Sequence, residues 1–127
     1  MAKVSRESAT QGGEYGPVTD HSDQIEGYTV NFTSFQEDVD ATPLMKGLPG
    51  DRCHCSHWGY VIKGQITFRF ADHDEVVRAG DAFYLPPGHI PVVEAGTEYV
   101  QFSPSKEMAE VSEHMVRATQ QMMQQQA

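Results

Sequence analysis

The sequence predicts an all-β domain of two packed sheets, a sandwich or a barrel, followed by a C-terminal α-helix. Short segments of alternating apolar and polar residues recur along the chain, with a turn signal every ~8 to 12 residues. Beyond residue 103 the spacing of apolar residues changes from two to three and four, which is typical of an amphipathic helix. The length of 127 residues suits one domain.

The elements follow in order. Residues 1–19 are polar and contain Gly12, Gly13 and Gly16, so we predict a flexible N-terminal arm. Residues 20–103 would form the barrel, and residues 104–127 the helix, with Pro104 at its first position. Strands are predicted over the segments Gly27–Phe35, Thr42–Lys46, Asp51–Lys63 (one strand, or two joined by a bend), Gln65–Phe70, Glu75–Arg78, Ala82–Leu85, His89–Glu94 and Thr97–Phe102.

Composition and charge exclude several classes of protein. The formal net charge is −9, so nucleic acids and anionic membrane surfaces would repel the chain. No apolar run is long enough to span a bilayer, and Met1–Thr10 lacks the apolar core of a secretory signal. We therefore expect a cytoplasmic protein with no nucleic-acid or membrane partner.

One short segment concentrates metal-binding residue types. On an extended strand, Cys53, Cys55 and His57 would point to one face, because side chains alternate with a period of two. A disulfide between the two cysteines is disfavoured, since their Cβ vectors would run parallel. Thiolate and imidazole are the ligands that zinc prefers. A fourth ligand could be His89, which follows the rigid corner Pro86-Pro87-Gly88.

The order of these residues resembles the two motifs of the cupin superfamily. The first motif is matched by Gly47, five residues, Cys53-His54-Cys55, Ser56, His57, six residues and Gly64. The second is matched by Gly80, five residues, Pro86-Pro87-Gly88 and His89. The resemblance implies a double-stranded β-helix, or jelly-roll barrel. In detail, these motifs are similar to those of a subgroup of small bacterial cupins.

The chain departs from the cupin pattern at its ligands. Cysteines stand in place of the paired histidines, His57 in place of the glutamate, and His89 comes two positions early. A count back from Gly64 gives a second register, in which Asp51 and Cys53 form the pair. Both registers include Cys53 and His57, whereas Cys55 belongs to one of them.

From these residues we predict a metal-binding cupin of unassigned activity. Zinc is the expected ion, and nickel, iron and manganese are the alternatives. Four ligands, Cys53, Cys55, His57 and His89, would close the coordination sphere, and three would leave a position for water. The other hypotheses are a metal-dependent isomerase, lyase or oxygenase acting on a small molecule, and a metal-free module that binds or senses one. Whether the protein is an enzyme stays open.

Two further expectations concern surfaces. Tyr60, Ile62, Phe83 and Tyr84 are candidates for lining a pocket, with core packing as the alternative. The helix carries an apolar stripe of Met108, Val111, Met115, Ala118 and Met122, which a monomer would have to cover. Since cupins commonly dimerise through edge strands, we predict a homodimer.

Overall fold

The computed structural model describes residues 3–125 of the chain, which form two antiparallel sheets and a C-terminal helix. The elements are β1 Gln11–Tyr15, β2 Val18–Ile25, β3 Tyr28–Phe35, β4 Val39–Asp40, α1 Thr42–Met45, a 3₁₀ turn Pro49–Asp51, β5 His57–Lys63, β6 Gln65–Arg69, β7 Asp74–Arg78, β8 Ala82–Leu85, β9 Ile90–Val93, β10 Glu98–Pro104 and α2 Ser105–Gln125.

The ten strands within residues 3–125 divide into a six-stranded sheet in the order β1-β2-β3-β10-β5-β8 and a four-stranded sheet in the order β4-β9-β6-β7. The chain crosses repeatedly from one sheet to the other, as in a jelly roll. This architecture confirms the predicted all-β barrel with a C-terminal helix.

The main core lies between the two sheets. Its buried side chains come from the inner faces of both, and they include Val61, Ile66, Phe68, Leu85 and Val93. Gly59 on β5 allows the close approach of β8, because a Cβ there would overlap the Phe83 ring and the Val100 carbonyl oxygen. The ring of Phe83 therefore lies across β5 and packs on Phe68, with 5.6 Å between ring centroids.

The predicted N-terminal arm is corrected over residues 11–19. Gln11–Tyr15 and Val18–Ile25 form a hairpin that extends the six-stranded sheet, with Val18 paired to Phe35. Backbone pairing stabilises this hairpin. Its sequence lacks the apolar alternation by which strands are recognised, and for that reason the sequence did not predict it. Gly12 has φ +114° and leaves no room for a Cβ beside the Asp20 carbonyl. Residues 1 and 2 of the predicted arm lie outside the described part of the chain.

The prediction of a strand over Thr42–Lys46 is wrong, because this segment is the helical turn α1. Pro43 occupies the first turn, where its missing N–H costs nothing. The Asp40 carboxylate accepts a hydrogen bond from the Thr42 N–H at 2.9 Å. Met45 is thereby buried, which an exposed edge strand would not achieve.

Helix α2 packs on α1 and covers one end of the barrel. Pro104 is the last residue of β10, paired with Tyr28, and the helix begins at Ser105. Residues 126 and 127 of the predicted helix lie outside the described residues. Val111 is buried, and Met108 and Met115 pack against a second cluster that contains Met45 and Ile90. Within residues 3–125, no helix is long and apolar enough to cross a membrane.

Candidate metal centre

The backbones of Cys53 and His89 are hydrogen-bonded to each other in a short antiparallel bridge. The Cys53 N–H donates to the His89 carbonyl at 2.9 Å, and the Gly88 N–H donates to the Cys53 carbonyl at 2.8 Å. Strand β5 begins only at His57, so a continuous strand over Asp51–Lys63 is wrong, and a bend precedes β5. The bridge sets Cys53 and His89 side by side, and the bend brings His57 to them.

The structure brings together the side chains of Cys53, His57 and His89. One donor atom from each lies within 4.8 Å of the other two, and all three residues are buried. The Cys53 Sγ and His57 Nε2 atoms are 3.6 Å apart. The two imidazole rings meet edge to face, with centroids 5.0 Å apart. These three residues are hereafter the Cys-His-His cluster.

Cys55 lies outside the Cys-His-His cluster. Its Sγ contacts the Ser56 carbonyl at 3.4 Å, and the side chain is packed in the apolar layer beneath α2. The period-two argument fails here because residues 53–56 belong to no extended strand. Burial, followed by the nearby Cys53, raises the pKa of the Cys55 thiol to about 12. A thiol in this environment is protonated at neutral pH.

Hydrogen bonds at Nδ1 orient both imidazoles. The Nδ1–H of His89 donates to the Pro86 carbonyl at 2.9 Å, and a carbonyl can only accept. His57 Nδ1 lies 2.6 Å from the Ser103 hydroxyl oxygen. With Nδ1 of His89 donating to a carbonyl, its Nε2 carries the lone pair, and Nε2 of His57 faces the Cys53 Sγ. This arrangement is typical of metal-binding histidines, which donate their other N–H to a carbonyl or hydroxyl.

Burial determines the charge of the cluster. Burial, with a smaller contribution from His89, lowers the pKa of His57 to about 3. Burial also lowers the pKa of His89 and raises the pKa of the Cys53 thiol. Both imidazoles are thus neutral at physiological pH, as a metal ligand must be, and Cys53 would lose its proton on binding a metal.

The donor set fits a zinc ion. Zinc–sulfur bonds of ~2.3 Å and zinc–nitrogen bonds of ~2.0 Å at tetrahedral angles place sulfur and nitrogen ~3.6 Å apart. The Cys53 Sγ and His57 Nε2 atoms have this separation. Three protein ligands leave one of four tetrahedral positions for a fourth ligand, such as water or a small molecule.

The candidate pocket residues divide by the face of the sheet on which they lie. Tyr60 and Ile62 alternate with the buried Val61 and are exposed on the outer face of β5, so they do not line the interior. Tyr84 is also an outward residue, 52% exposed, although it borders a cleft at the edge of β8. Phe83 faces inward, packs on Phe68 in the core and also borders that cleft.

Sequence reasoning missed Ser103, which it placed at the end of the barrel, after the last predicted strand. Ser103 is the buried inward residue of β10 that bonds His57. The alternation of Gln101 and Ser103 with the apolar Val100 and Phe102 was the available signal.

A second polar group on the inner sheet face was also missed. The Asp20 carboxylate accepts from Asn31 Nδ2 at 3.1 Å and from the Thr33 hydroxyl at 2.9 Å. Burial raises the pKa of Asp20 despite both hydrogen bonds. Among the described residues, the buried Asn31 Oδ1 has no hydrogen-bond partner.

Comparison with known proteins gives one family match. Residues 56–120, about half of the chain, match the family described as the AraC-like ligand binding domain. No curated protein matches the sequence.

Several solved structures are similar in fold. A putative ethanolamine utilization protein Q from Salmonella typhimurium has a TM-score of 0.53 and 14% identity, with 76% of each chain covered. An RmlC-like cupin from Shewanella frigidimarina has a TM-score of 0.52 and 19% identity, with 75% of this chain and 84% of that chain covered. A protein of unknown function from Rhizobium leguminosarum has a TM-score of 0.57 and 16% identity, with 81% and 95% covered. At these identities the likeness establishes the fold alone.

Proposed function

The chain belongs to the family of AraC-like ligand binding domains, which are cupin-type barrels, and we propose that it binds a small molecule through a metal ion held by Cys53, His57 and His89. Membership of the family confirms the predicted cupin superfamily. It also supports a small-molecule ligand, since the matched domain is a ligand-binding one. The metal is our inference from the cluster itself.

The observation that carries this proposal is a buried set of one thiol and two neutral imidazoles with their donor atoms converging. Burial deprives both imidazoles of water, and a metal ion bound at Nε2 of each ring would compensate for that loss. We propose zinc because the set contains sulfur and nitrogen only, whereas iron and manganese favour oxygen-rich sites. The exclusion of Cys55 supports an open site over a closed one.

Enzymatic activity on a small molecule is the second candidate function. The observation that favours it is the open position, because catalysis by a metal requires an exchangeable ligand. The resident metal would supply Lewis acidity to a bound carbonyl or water. Ser103 and the Pro86 carbonyl would hold the two imidazoles in place during such a step.

Elemental analysis of protein purified without a nickel column tests the metal site. We expect close to one equivalent of zinc, and we expect Cys53→Ser, His57→Ala and His89→Ala each to lose it. Cys55→Ser is the matched control, because it removes a buried thiol two residues away and should retain the metal. Metal-free protein would favour a metal-free binding module. Loss of metal in Cys55→Ser would instead favour a closed site with four ligands.

We also propose that the protein is a homodimer, but through a different surface from the predicted helix stripe. That stripe is largely covered, since Val111 is buried and Met115 packs on the second core cluster. Six large apolar side chains instead lie exposed on the outside of the six-stranded sheet. This outer aromatic face consists of Tyr28, Trp58, Tyr60, Ile62, Tyr84 and Phe102.

The outer aromatic face is contiguous and large enough to support a dimer. The Trp58 ring contacts Tyr28 and Tyr84, with centroids 6.2 Å and 5.0 Å away. Side chains of this size have ~200 Å² each, so at just over two-fifths exposure the six offer ~550 Å². That is most of the ~800 Å² that one partner contributes to a stable interface. A second copy supplies the same face by two-fold symmetry.

A further inference from the structure

Residues 3–10 precede the first strand and are attached to the sheet at two places. The Arg6 guanidinium lies 3.7 Å from the Glu98 carboxylate on β10. At the other end of the segment, the hydroxyl and the N–H of Thr10 donate to the Asp23 carboxylate on β2, at 3.0 Å and 3.3 Å. Strand β3 lies between β2 and β10, so the segment crosses β3.

The crossing is on the outer side of the six-stranded sheet, because the neighbours of both carboxylates face inward. Tyr99 follows Glu98 and packs against the main core. Ser22 precedes Asp23 and is buried on the same side of β2 as Asp20, which belongs to the polar group of the inner face. Side chains alternate along a strand, so the two carboxylates point outward.

An apolar strip lies where the segment crosses. Val30 points outward, since it alternates with the inward Asn31, yet it is only 2% exposed and belongs to neither core cluster of the described residues. Phe32 and Val100 are paired on the same outer side and are partly buried. Tyr60, the next residue in that row, is 46% exposed. Val30, Phe32 and Val100 are hereafter the covered strip, and residues 3–10 account for their burial.

The contacts that attach the segment to the sheet are weak ones. The ion pair of Arg6 with Glu98 lies at the surface, where such pairs contribute little to stability. The hydrogen bonds of Thr10 are exposed, so water competes for them. The apolar side chains of the segment, Val4 and Ala9, are small and only partly buried. The segment can therefore leave the sheet without disturbing the core.

The covered strip continues the outer aromatic face, since Val100 is paired with Tyr60 and Val30 with Phe102. The exposed face offers ~550 Å² of the ~800 Å² that one partner contributes to a stable interface. The covered strip would add on the order of 200 Å² if it were uncovered. Sheets that pack face to face lie ~10 Å apart, a gap that their side chains fill, so the segment cannot stay between two copies.

We propose that residues 3–10 are a displaceable strap over part of a docking face whose occupant is a second copy of this chain. In the monomer the strap lies on the covered strip. In the dimer the strap is released, and the covered strip joins the outer aromatic face in the interface. The strap therefore weakens dimerisation, because each copy must first open it. This inference rests on the proposed homodimer.

Deletion of residues 1–9 tests the strap by removing it. We expect the dimer dissociation constant to fall at least about tenfold, since two straps no longer have to open. Asp23→Ala removes both hydrogen bonds of Thr10 from the full chain and should lower the constant by a smaller factor. Asp74→Ala is the matched control, because it makes the same substitution at an exposed position of the other sheet. Analytical ultracentrifugation measures these constants.

Hydrogen exchange of the segment separates a displaced strap from a passive one. The N–H groups of Ser5, Ser8, Ala9 and Thr10 are hydrogen-bonded while the strap is closed. Trp58→Arg places a charge in the outer aromatic face and should keep the protein monomeric with the strap closed. We expect these four N–H groups to exchange faster in the wild-type dimer than in this monomer.

Each contrary outcome is distinct. An unchanged or larger dissociation constant after the deletion overturns the strap, although the wild type still dimerises. Slower or equal exchange of the segment in the dimer also overturns it, since the segment would then be part of the interface or a bystander. If the deletion variant aggregates, Asp23→Ala decides, and a constant equal to that of Asp74→Ala overturns the strap. Monomers in both the wild type and the deletion variant overturn the homodimer and this inference together, whereas elemental analysis tests the metal site separately.

Discussion

Cys53 and Cys55 are both buried thiols of the second core cluster, but only Cys53 has its sulfur beside two imidazoles. Both thiols are buried, but only Cys53 is placed by a backbone bridge, to His89, that directs its sulfur towards two imidazoles. Cys55 packs among apolar side chains under α2. The distinction determines whether a bound metal has an exchangeable position, and so whether it can act on a ligand.

At the same scale, Ser103 should tune the metal site without supplying a ligand. Its hydroxyl contacts His57 Nδ1, so Ser103→Ala would release the orientation of that ring. We expect metal affinity to fall about 10- to 100-fold, the usual effect of losing such a partner. Competition with a chelating dye measures this. Ser34→Ala, on the outward side of β3 in the same sheet, should have no effect. Equal affinities in the two variants would argue against a positioning role.

Asp20 should make stability depend on pH in a definite direction. Burial raises the pKa of Asp20 in the folded protein above its ordinary value of 3.8, so folding favours the protonated carboxyl. The contribution of Asp20 to the free energy of unfolding is therefore fully present below pH 3.8 and is lost as the pH rises through the folded-state pKa. Asp20→Asn removes this dependence. The difference in unfolding free energy, variant minus wild type, should therefore rise across the window just above 3.8 and then level off. Urea unfolding at several pH values checks it, and a flat or falling difference would contradict it.

Among the elements, strands with apolar alternation were predictable and the others were not. β8 Ala82–Leu85 and β3 Tyr28–Phe35 agree with the sequence pattern to within a residue. β1 and β2 carry no such pattern, because sheet pairing rather than side-chain burial holds them. α1 is too short for helical periodicity, and only its packing against α2 shows why it is a helix.

The two helices should contribute to stability through one buried residue. Met45 of α1 is 1% exposed at the centre of the second core cluster. We expect Met45→Ala to lower the free energy of unfolding by about 2–5 kcal/mol, the range for truncating a buried methionine. Met122→Ala, on the exposed part of α2, should change it by less than about 0.5 kcal/mol. Chemical denaturation compares them, and a similar small effect in both would show that the helices dock loosely.

For the whole molecule, the outer aromatic face lies on strands β3, β5, β8 and β10 of the six-stranded sheet, and a cleft lies between β8 and β7, at the free edges of the two sheets. Tyr84 belongs to both surfaces, so a dimer formed through the outer aromatic face would bring the partner copy to one side of the cleft.

Substitution at the centre of the outer aromatic face should dissociate the dimer. Trp58→Arg places a charge where two rings are otherwise in contact, so we expect the dimer dissociation constant to rise at least about 30-fold, as for an interface hot spot. Val116→Arg is the control, since Val116 is exposed on α2. Size-exclusion chromatography with light scattering distinguishes the two. A wild-type monomer at micromolar concentration would refute the dimer.

The sequence by itself determined the barrel, its C-terminal helix and the three residues that form the Cys-His-His cluster. Alternation and turn residues are local signals that predict strands. The spacing of the two motifs predicted Cys53, His57 and His89, which lie together in the structure. Only the tertiary structure decided that Cys55 lies outside the Cys-His-His cluster and that Ser103 contacts His57. It also decided that Tyr60 and Ile62 face outward. These features depend on a bend before β5 and on the pairing of β5 with β10, two strands about 40 residues apart in sequence. Contacts between distant segments leave no periodic trace in either one, so sequence alone does not reveal them.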